Sequence, residues 1–240
     1  MINQADRSWH QVLEKAFGAF DPDYLRYLQD DTGYFPDRNN FLNAFKTLPL
    51  HETKYILFGQ DPYPREESAI GYAFIDGKVQ KLFSETGLSK EVNRATSLRN
   101  FMKMLLLCEG ELKEDFSKEA LAKVDTAKYI QSIHQLRQNF EKNGVLLLNM
   151  ALVFSSKEES KKHIKAWRGF VREFLKGLHE ASADTELILF GKMAEEVEKL
   201  EEAKAFAKHI LPHPYNVSFI TDPKARTLFE PMRLLRQSDS

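Results

Sequence analysis

Asp61, Asn149 and His213 each stand just after a short apolar run, and their side chains are of types that do chemistry. Tyr55-Ile-Leu-Phe58 is followed by Gly59-Gln60-Asp61 and then by Pro62-Tyr63-Pro64. Val145-Leu-Leu-Leu148 ends at Asn149, and His209-Ile-Leu-Pro212 ends at His213. A carboxylate can stabilise a developing cation or activate water. An imidazole can give or take a proton near neutral pH, and an amide sets a donor beside an acceptor. Tyr63, on a loop stiffened by two prolines, makes an aromatic wall beside the carboxylate. Taken singly, these residues have plainer readings. An Asp before Pro is often a turn residue; Asn149 could be a satisfied turn residue and His213 a loop histidine. Their joint occurrence at three strand ends is what singles them out.

The apolar runs must position these groups. Each is a stretch of β-forming residues bounded by turn residues, the pattern of a buried strand. Strands are expected at about 54–59, at 145–148, at Leu187-Ile-Leu-Phe190 before Gly191-Lys192, and at 209–212. Helical spacing covers 3–18, with Trp9, Val12, Leu13, Ala16 and Phe17 on one face, and a short stretch with Tyr24, Leu25 and Leu28. A helix capped by Asn39 or Asn40 runs through Phe45, and one capped by Ser97 runs through Leu98, Phe101 and Leu105. Another, through Ile133, Leu136 and Phe140, stops at Asn143-Gly144. Further helices carry Trp167, Phe170, Phe174 and Leu178, span 192–206, and end the chain through Leu228, Met232 and Leu235. Residues 71–75 read as extended chain, 78–96 as loop and 109–128 as short helices. This alternation predicts an α/β fold: a three-layer α/β/α sandwich around a short, mostly parallel four-stranded sheet, in one domain over 1–240. In such a sheet the strand ends share one edge, where ligands bind.

Composition narrows the field. With 42% hydrophobic and 29% charged residues, the chain can bury a sizeable core and is expected to be soluble. No stretch is long and apolar enough to span a membrane, and the N-terminal residues lack a signal peptide's apolar core. The single cysteine, Cys108, excludes an intrachain disulfide, a Cys-rich zinc site and a four-Cys iron–sulfur cluster. A cytoplasmic location is the expectation. Net charge is −1, so attraction to phosphate must come from a local patch. No glycine-rich phosphate loop follows any strand.

Gly59-Gln-Asp-Pro-Tyr63, Val145-Leu-Leu-Leu-Asn149 and His213-Pro214 resemble, in order, the three signatures of the uracil-DNA glycosylase family, in the branch whose first motif reads Gly-Gln-Asp-Pro-Tyr-His. Gly71-Tyr-Ala-Phe74 is similar to the family's uracil-stacking segment, and Ser97-Leu-Arg-Asn100 to the start of the helix after its proline-rich loop. His163, Trp167 and Phe170 resemble its His…Trp…Phe stretch, and Leu189-Phe-Gly191 its third strand end. The likeness spans most of the chain. The first motif is highly specific; the others gain force from their order.

The resemblance implies a DNA repair enzyme that hydrolyses the N-glycosidic bond of uracil flipped out of DNA, leaving an abasic site. It implies no cofactor and no metal; with no lysine at a pocket position, no strand-cleaving step is expected. Departure of the base leaves an oxocarbenium-like sugar and an anionic uracil. By the resemblance, Asp61 stabilises the cation and positions or activates water. His213 hydrogen-bonds the leaving oxygen, in a protonation state left open. Such groups are worth about 3–4 kcal/mol each. Asn149 meets uracil O4 and N3–H and rejects cytosine. Tyr63 crowds C5 against thymine, Phe74 stacks on the base, and Gln60 gives a backbone N–H. Base flipping costs a few kcal/mol. Ser97 and Ser218, with Lys192 and Arg226 nearby in sequence, are the expected phosphate contacts, and Val217 is the wedge where the family carries Leu.

Four departures stand out. Pro64 replaces a His, Asn93-Arg-Ala-Thr96 replaces a proline run, and Gly191-Lys192 replaces Gly-Ser. His213-Pro-Tyr-Asn-Val-Ser218 replaces His-Pro-Ser-Pro-Leu-Ser. All four touch DNA engagement. The expectation is therefore a monomer acting on uracil in single- or double-stranded DNA, with single strands favoured more than usual. The alternative is a homologue with reduced turnover that binds DNA or a partner; intact Asp61, Asn149 and His213 oppose it.

Overall fold

The computed structural model describes residues 1–30 and 32–237. In chain order the elements are α1 (His10–Phe17), α2 (Pro22–Asp30), β1 (Tyr55–Gly59), the hairpin β2 (Phe83–Ser84) and β3 (Gly87–Leu88), α3 (Lys90–Arg94), α4 (Thr96–Cys108), α5 (Lys118–Leu121), α6 (Ile133–Lys142), β4 (Val145–Asn149), α7 (Ser160–Ala181), β5 (Glu186–Phe190), α8 (Lys192–Glu198), β6 (Lys208–Leu211) and α9 (Pro223–Phe229). They divide into two compact units, one of Met1–Asp76 with Gly144–Ile210, the other of Gly77–Asn143 with the described residues from Leu211 onward.

The first unit holds the sheet, ordered β4-β1-β5-β6, with β4 and β5 both parallel to β1. Ile56, Phe58, Leu146, Leu148, Leu187 and Leu189 join one core with α1 and α7. Leu57, Leu147 and Ile188, on the opposite face, are equally buried. A parallel sheet covered on both faces needs strands that are apolar throughout, which is why these read as unbroken runs rather than alternating ones. Trp9, Phe45, Phe170, Phe174 and Trp167 fill the helix side, and the Trp9 indole N–H donates to the Leu48 carbonyl at 2.7 Å. Burying such a side chain contributes about 1.5–3 kcal/mol.

The second unit centres on α4. Its Phe101 ring meets Phe140 of α6, Phe219, and Phe229 of α9, at centroid distances of 5.8, 5.8 and 5.1 Å. A reciprocal Ser132–Gln135 capping box starts α6. Asp222 caps α9 ahead of Pro223.

Several expected boundaries moved, for local reasons. The helix expected over 3–18 begins at His10, because Asp6 takes the Ser8 N–H and forms a separate turn at Arg7–Trp9. Asp37 similarly draws in the Asn39 N–H and the Asn40 amide, leaving only a short 3-10 turn at Asn43–Phe45. The expected 78–96 loop holds the β2–β3 hairpin and α3, which Ser89 caps. Ser97 is not a cap: α3 runs to Arg94, Ala95 joins the two helices, and Ser97 lies in the first turn of α4. The helix expected over 192–206 stops at Glu198 and resumes as a 3-10 turn at Glu201–Ala205. The last one passes at Glu230 into a 3-10 turn, Glu230–Met232. No described helix is long and apolar enough to cross a membrane.

Candidate active site

In the first unit, parallel pairing sets Gly59 opposite Asn149. Beyond the strand ends the Met150 N–H donates to the Gly59 carbonyl at 2.9 Å and the Ala151 N–H to the Gln60 carbonyl at 3.0 Å. Asn149 and the Gln60-Asp61 segment are thereby held side by side. Asn149 is buried, with 7% of its surface exposed, and its amide has no hydrogen-bond partner among the described residues. The amide atoms are not among the unpaired side-chain atoms shielded from solvent, so they reach solvent and are open to a ligand. Gly59 makes the space: a Cβ there would overlap Asn149 Oδ1.

Asp61 is half-buried. The Ser160 hydroxyl donates to its Oδ2 at 2.7 Å. Ser160 is the first residue of α7, so the carboxylate lies by the N-terminal end of a 22-residue helix. The helix dipole favours negative charge there. Tyr63 donates its hydroxyl to the Phe74 carbonyl at 3.2 Å. Burial raises the phenol pKa, with the Asp76 charge adding to the effect.

Residues 71–75 are not extended. Gly71 has φ +84° and Phe74 φ +67°. A side chain at Gly71 would overlap the Asn40 carbonyl. A bulky residue in the left-handed region is strained, and such strain concentrates at functional sites. The bend is pinned by the Ala73 N–H, which donates to the Leu147 carbonyl at 3.1 Å, and it sets the Phe74 ring 6.2 Å from that of Phe190. Gln60, Asp61, Tyr63, Phe74 and Asn149 are thus assembled within one unit, while Pro64 and Lys192 are exposed at its surface.

A buried relay lies behind Ser160. The Trp167 indole N–H donates to the Tyr24 hydroxyl at 3.1 Å, which meets His163 Nδ1 at 2.6 Å; His163 Nε2 meets Ser155 Oγ at 2.8 Å. The tyrosine oxygen accepts from tryptophan and shares a hydrogen bond with Nδ1, and Nε2 shares one with Ser155, so both ring nitrogens are paired. Desolvation lowers the His163 pKa, opposed by the Glu159 and Asp61 charges.

In the second unit, His213 follows β6 on an exposed loop. The Tyr215 N–H donates to its Nδ1 at 3.0 Å, which leaves the proton of a neutral ring on Nε2. Protein atoms around the ring desolvate it enough to lower its pKa. Asn100, 2% exposed, fixes this loop to α4 by donating to the Pro214 and Tyr215 carbonyls at 2.8 and 3.2 Å. Val217 is 71% exposed at the start of a 3-10 turn, Val217–Thr221, that also carries exposed Ser218. Ser97 is half-buried on α4. Arg226 is half-buried on α9, with its Nε shielded from solvent. Sequence reasoning missed Ser160 and Asn100 as positioning residues. Asn100 sits inside a motif that was recognised, and Ser160 at the start of a strong helical pattern.

Both lowered histidine pKa values push stability the same way. An unfolded imidazole titrates near 6.5. As pH falls from there toward the lower native values, the unfolded chain takes up protons that the folded chain refuses. Stability is therefore full above about 6.5 and declines below it. Thermal melts are expected to show a lower midpoint at about pH 5.5 than at about pH 7.5, a window above the carboxylate range. His163→Gln is expected to narrow the difference, and equal wild-type midpoints would contradict this account.

No model of a known protein family matches the chain. The crystal structure of wild-type UNG from Nitratifractor salsuginis superposes with a TM-score of 0.95 at 51% identity, covering 99% of this chain and 95% of that one. The chain belongs to the uracil-DNA glycosylase family. Proteins named uracil-DNA glycosylase from Fusobacterium nucleatum and Deinococcus radiodurans are 25% and 26% identical, over 90% and 91% of this chain and 85% and 80% of theirs. Mimivirus uracil-DNA glycosylase, 17% identical with a TM-score of 0.58 over 89% of this chain and 71% of that one, shares the fold. Among the described residues of this uracil-DNA glycosylase family member, no cluster of three or more His, Cys, Asp or Glu side chains could hold a metal ion.

Proposed function

We propose that the protein is a monofunctional DNA repair glycosylase that hydrolyses the bond between uracil and deoxyribose in DNA and leaves an abasic site. The observation that carries this reading is the unpaired Asn149 amide, on a strand end whose backbone is paired with the Gly59-Gln60-Asp61 segment. One face of that amide both donates and accepts, matching uracil O4 and N3–H and mismatching cytosine. Tyr63, pinned to the Phe74 carbonyl, bars a methyl at C5, and Phe74 stacks on the base. The Gln60 backbone N–H completes the floor.

Asp61 opposes the positive charge that develops on the sugar and orients the attacking water, with Ser160 fixing one carboxylate oxygen. His213 acts as a neutral donor through Nε2–H toward uracil O2, since the Tyr215 N–H occupies Nδ1 and desolvation disfavours the cation. Ser97, Ser218, Lys192 and Arg226 hold phosphates, Pro64 borders the strand, and Val217 fills the vacated stack. These residue roles rest on the family motifs together with the local geometry of each unit. The buried lone Cys108 suits a reducing cytoplasm, where the protein acts as a monomer.

The test is incubation of the full chain with single- and double-stranded oligonucleotides bearing one uracil. Uracil release with strand scission only after alkali is the expected result. Binding without release would favour the reduced-turnover alternative. Val217 buries less apolar area than Leu, so Val217→Leu is expected to raise duplex excision several-fold relative to single-strand excision, at about 25 cal/mol per Å² of added contact. An unchanged ratio would remove Val217 from the wedge role.

A further inference from the structure

The second unit carries a cavity whose basic residues none of these roles uses, although Asn100 and Val217 also line it. It measures about 430 Å³, within the roughly 300–1,000 Å³ range of ligand pockets. Arg99 and Lys103 of α4 and Lys118 of α5 stand around it, and Phe116, Leu121 and Val217 supply apolar wall. No carboxylate is among its lining residues. Arg99 donates to the Asn93 carbonyl and Lys103 to the Phe116 carbonyl, both at 2.8 Å. None of the three cations has an ion-pair partner among the described residues.

Cations gathered in a partly dry site without a counter-charge repel one another. Desolvation lowers the Lys103 pKa most, and the nearby Arg99 charge lowers it further. An anion would relieve the repulsion, and the apolar wall asks for more than a bare anion. An aromatic side chain beside several cations is the combination that holds single-stranded nucleic acid, with a base on the ring and its phosphate on the basic groups. The cavity also opens on the exposed turn that carries Val217.

We propose that this cavity binds one nucleotide of the substrate strand, its base against Phe116 and Leu121 and its phosphate on Arg99, Lys103 and Lys118. The proposal rests on the reading of the protein as a DNA glycosylase. It gives the chain a grip on the strand beyond the phosphate contacts already named, in a protein whose motif loops have lost a serine and a proline run.

The test compares wild type with the Arg99→Ala/Lys103→Ala/Lys118→Ala variant, using uracil release from a single-stranded oligonucleotide of about twenty nucleotides across a salt series. The variant is expected to raise KM about tenfold with kcat within about twofold. It is also expected to flatten the dependence of log KM on log salt by about 0.7, the loss of one phosphate contact on a single strand. Phe116→Ala is expected to raise KM with the salt slope intact. If the triple variant misfolds by circular dichroism, Lys118→Glu, at an exposed residue, gives the same reading. A wild-type KM and slope in the charge variants, or a wild-type KM in Phe116→Ala, overturns the proposal. Absence of uracil release from the wild type would instead defeat the glycosylase reading, so the two failures are told apart.

Discussion

Asp61→Asn lowers the kcat of uracil release by about 10²–10³-fold and leaves oligonucleotide affinity within about twofold. The substitution keeps size, shape and an oxygen that can accept the Ser160 hydroxyl. Only the charge is lost. That charge has little to act on in the ground state, where the sugar is neutral. As the glycosidic bond breaks, positive charge appears on the sugar, and in the proposed role the carboxylate attracts it. An interaction that strengthens only on the way to the transition state appears in kcat and spares binding. Asp61 lies by the N-terminal end of α7, held there by the Ser160 hydroxyl. Single-turnover kinetics with a labelled uracil oligonucleotide, beside a binding titration, gives both quantities. A rate within threefold of wild type would mean that Asp61 only shapes the pocket.

The sheet was legible because its strands are buried on both faces and therefore apolar at every position. The β2–β3 hairpin was not, since strands of two residues carry no period. The helix expected from Asn39 or Asn40 failed to a competitor in plain view: Asp37 offers the backbone a turn, which apolar spacing does not register. Among the candidate site residues, Asp61, Asn149 and His213 were readable as motif residues by type. What holds them was not. Ser160 reaches Asp61 across 99 positions of chain, and Asn100 reaches Pro214 across 114. No local pattern encodes such a meeting. The neutral state of His213 had no sequence signal either, although its cause is local: it is set by where the Tyr215 N–H, two residues on, points. The left-handed conformation of Phe74 also had no signal, because a Phe in sequence argues against it.

The sharpest consequence of that geometry falls on Gly59, which has no chemistry of its own. Gly59→Ala is expected to reduce kcat/KM on uracil-DNA about 10²-fold, the loss expected when two buried hydrogen bonds of about 1–3 kcal/mol each are weakened together. The Gly59 backbone is ordinary strand and accepts alanine without strain. The obstacle is the added Cβ, which would overlap Asn149 Oδ1 and press on the Ala73 Cβ at 3.0 Å. Asn149 Oδ1 is the end of a side chain, so the amide turns aside and the strand stays in place. The fold then loses little, about 1 kcal/mol or 2–4 °C in melting temperature, while the pyrimidine-reading face is misdirected. Because the damage passes through the amide, it should vanish where there is no amide. In an Asn149→Ala background, Gly59→Ala is expected to cost less than about threefold more, a strongly non-additive cycle. Additive losses would show that Gly59 acts on the base by another route, and would take from Asn149 the place given to it here.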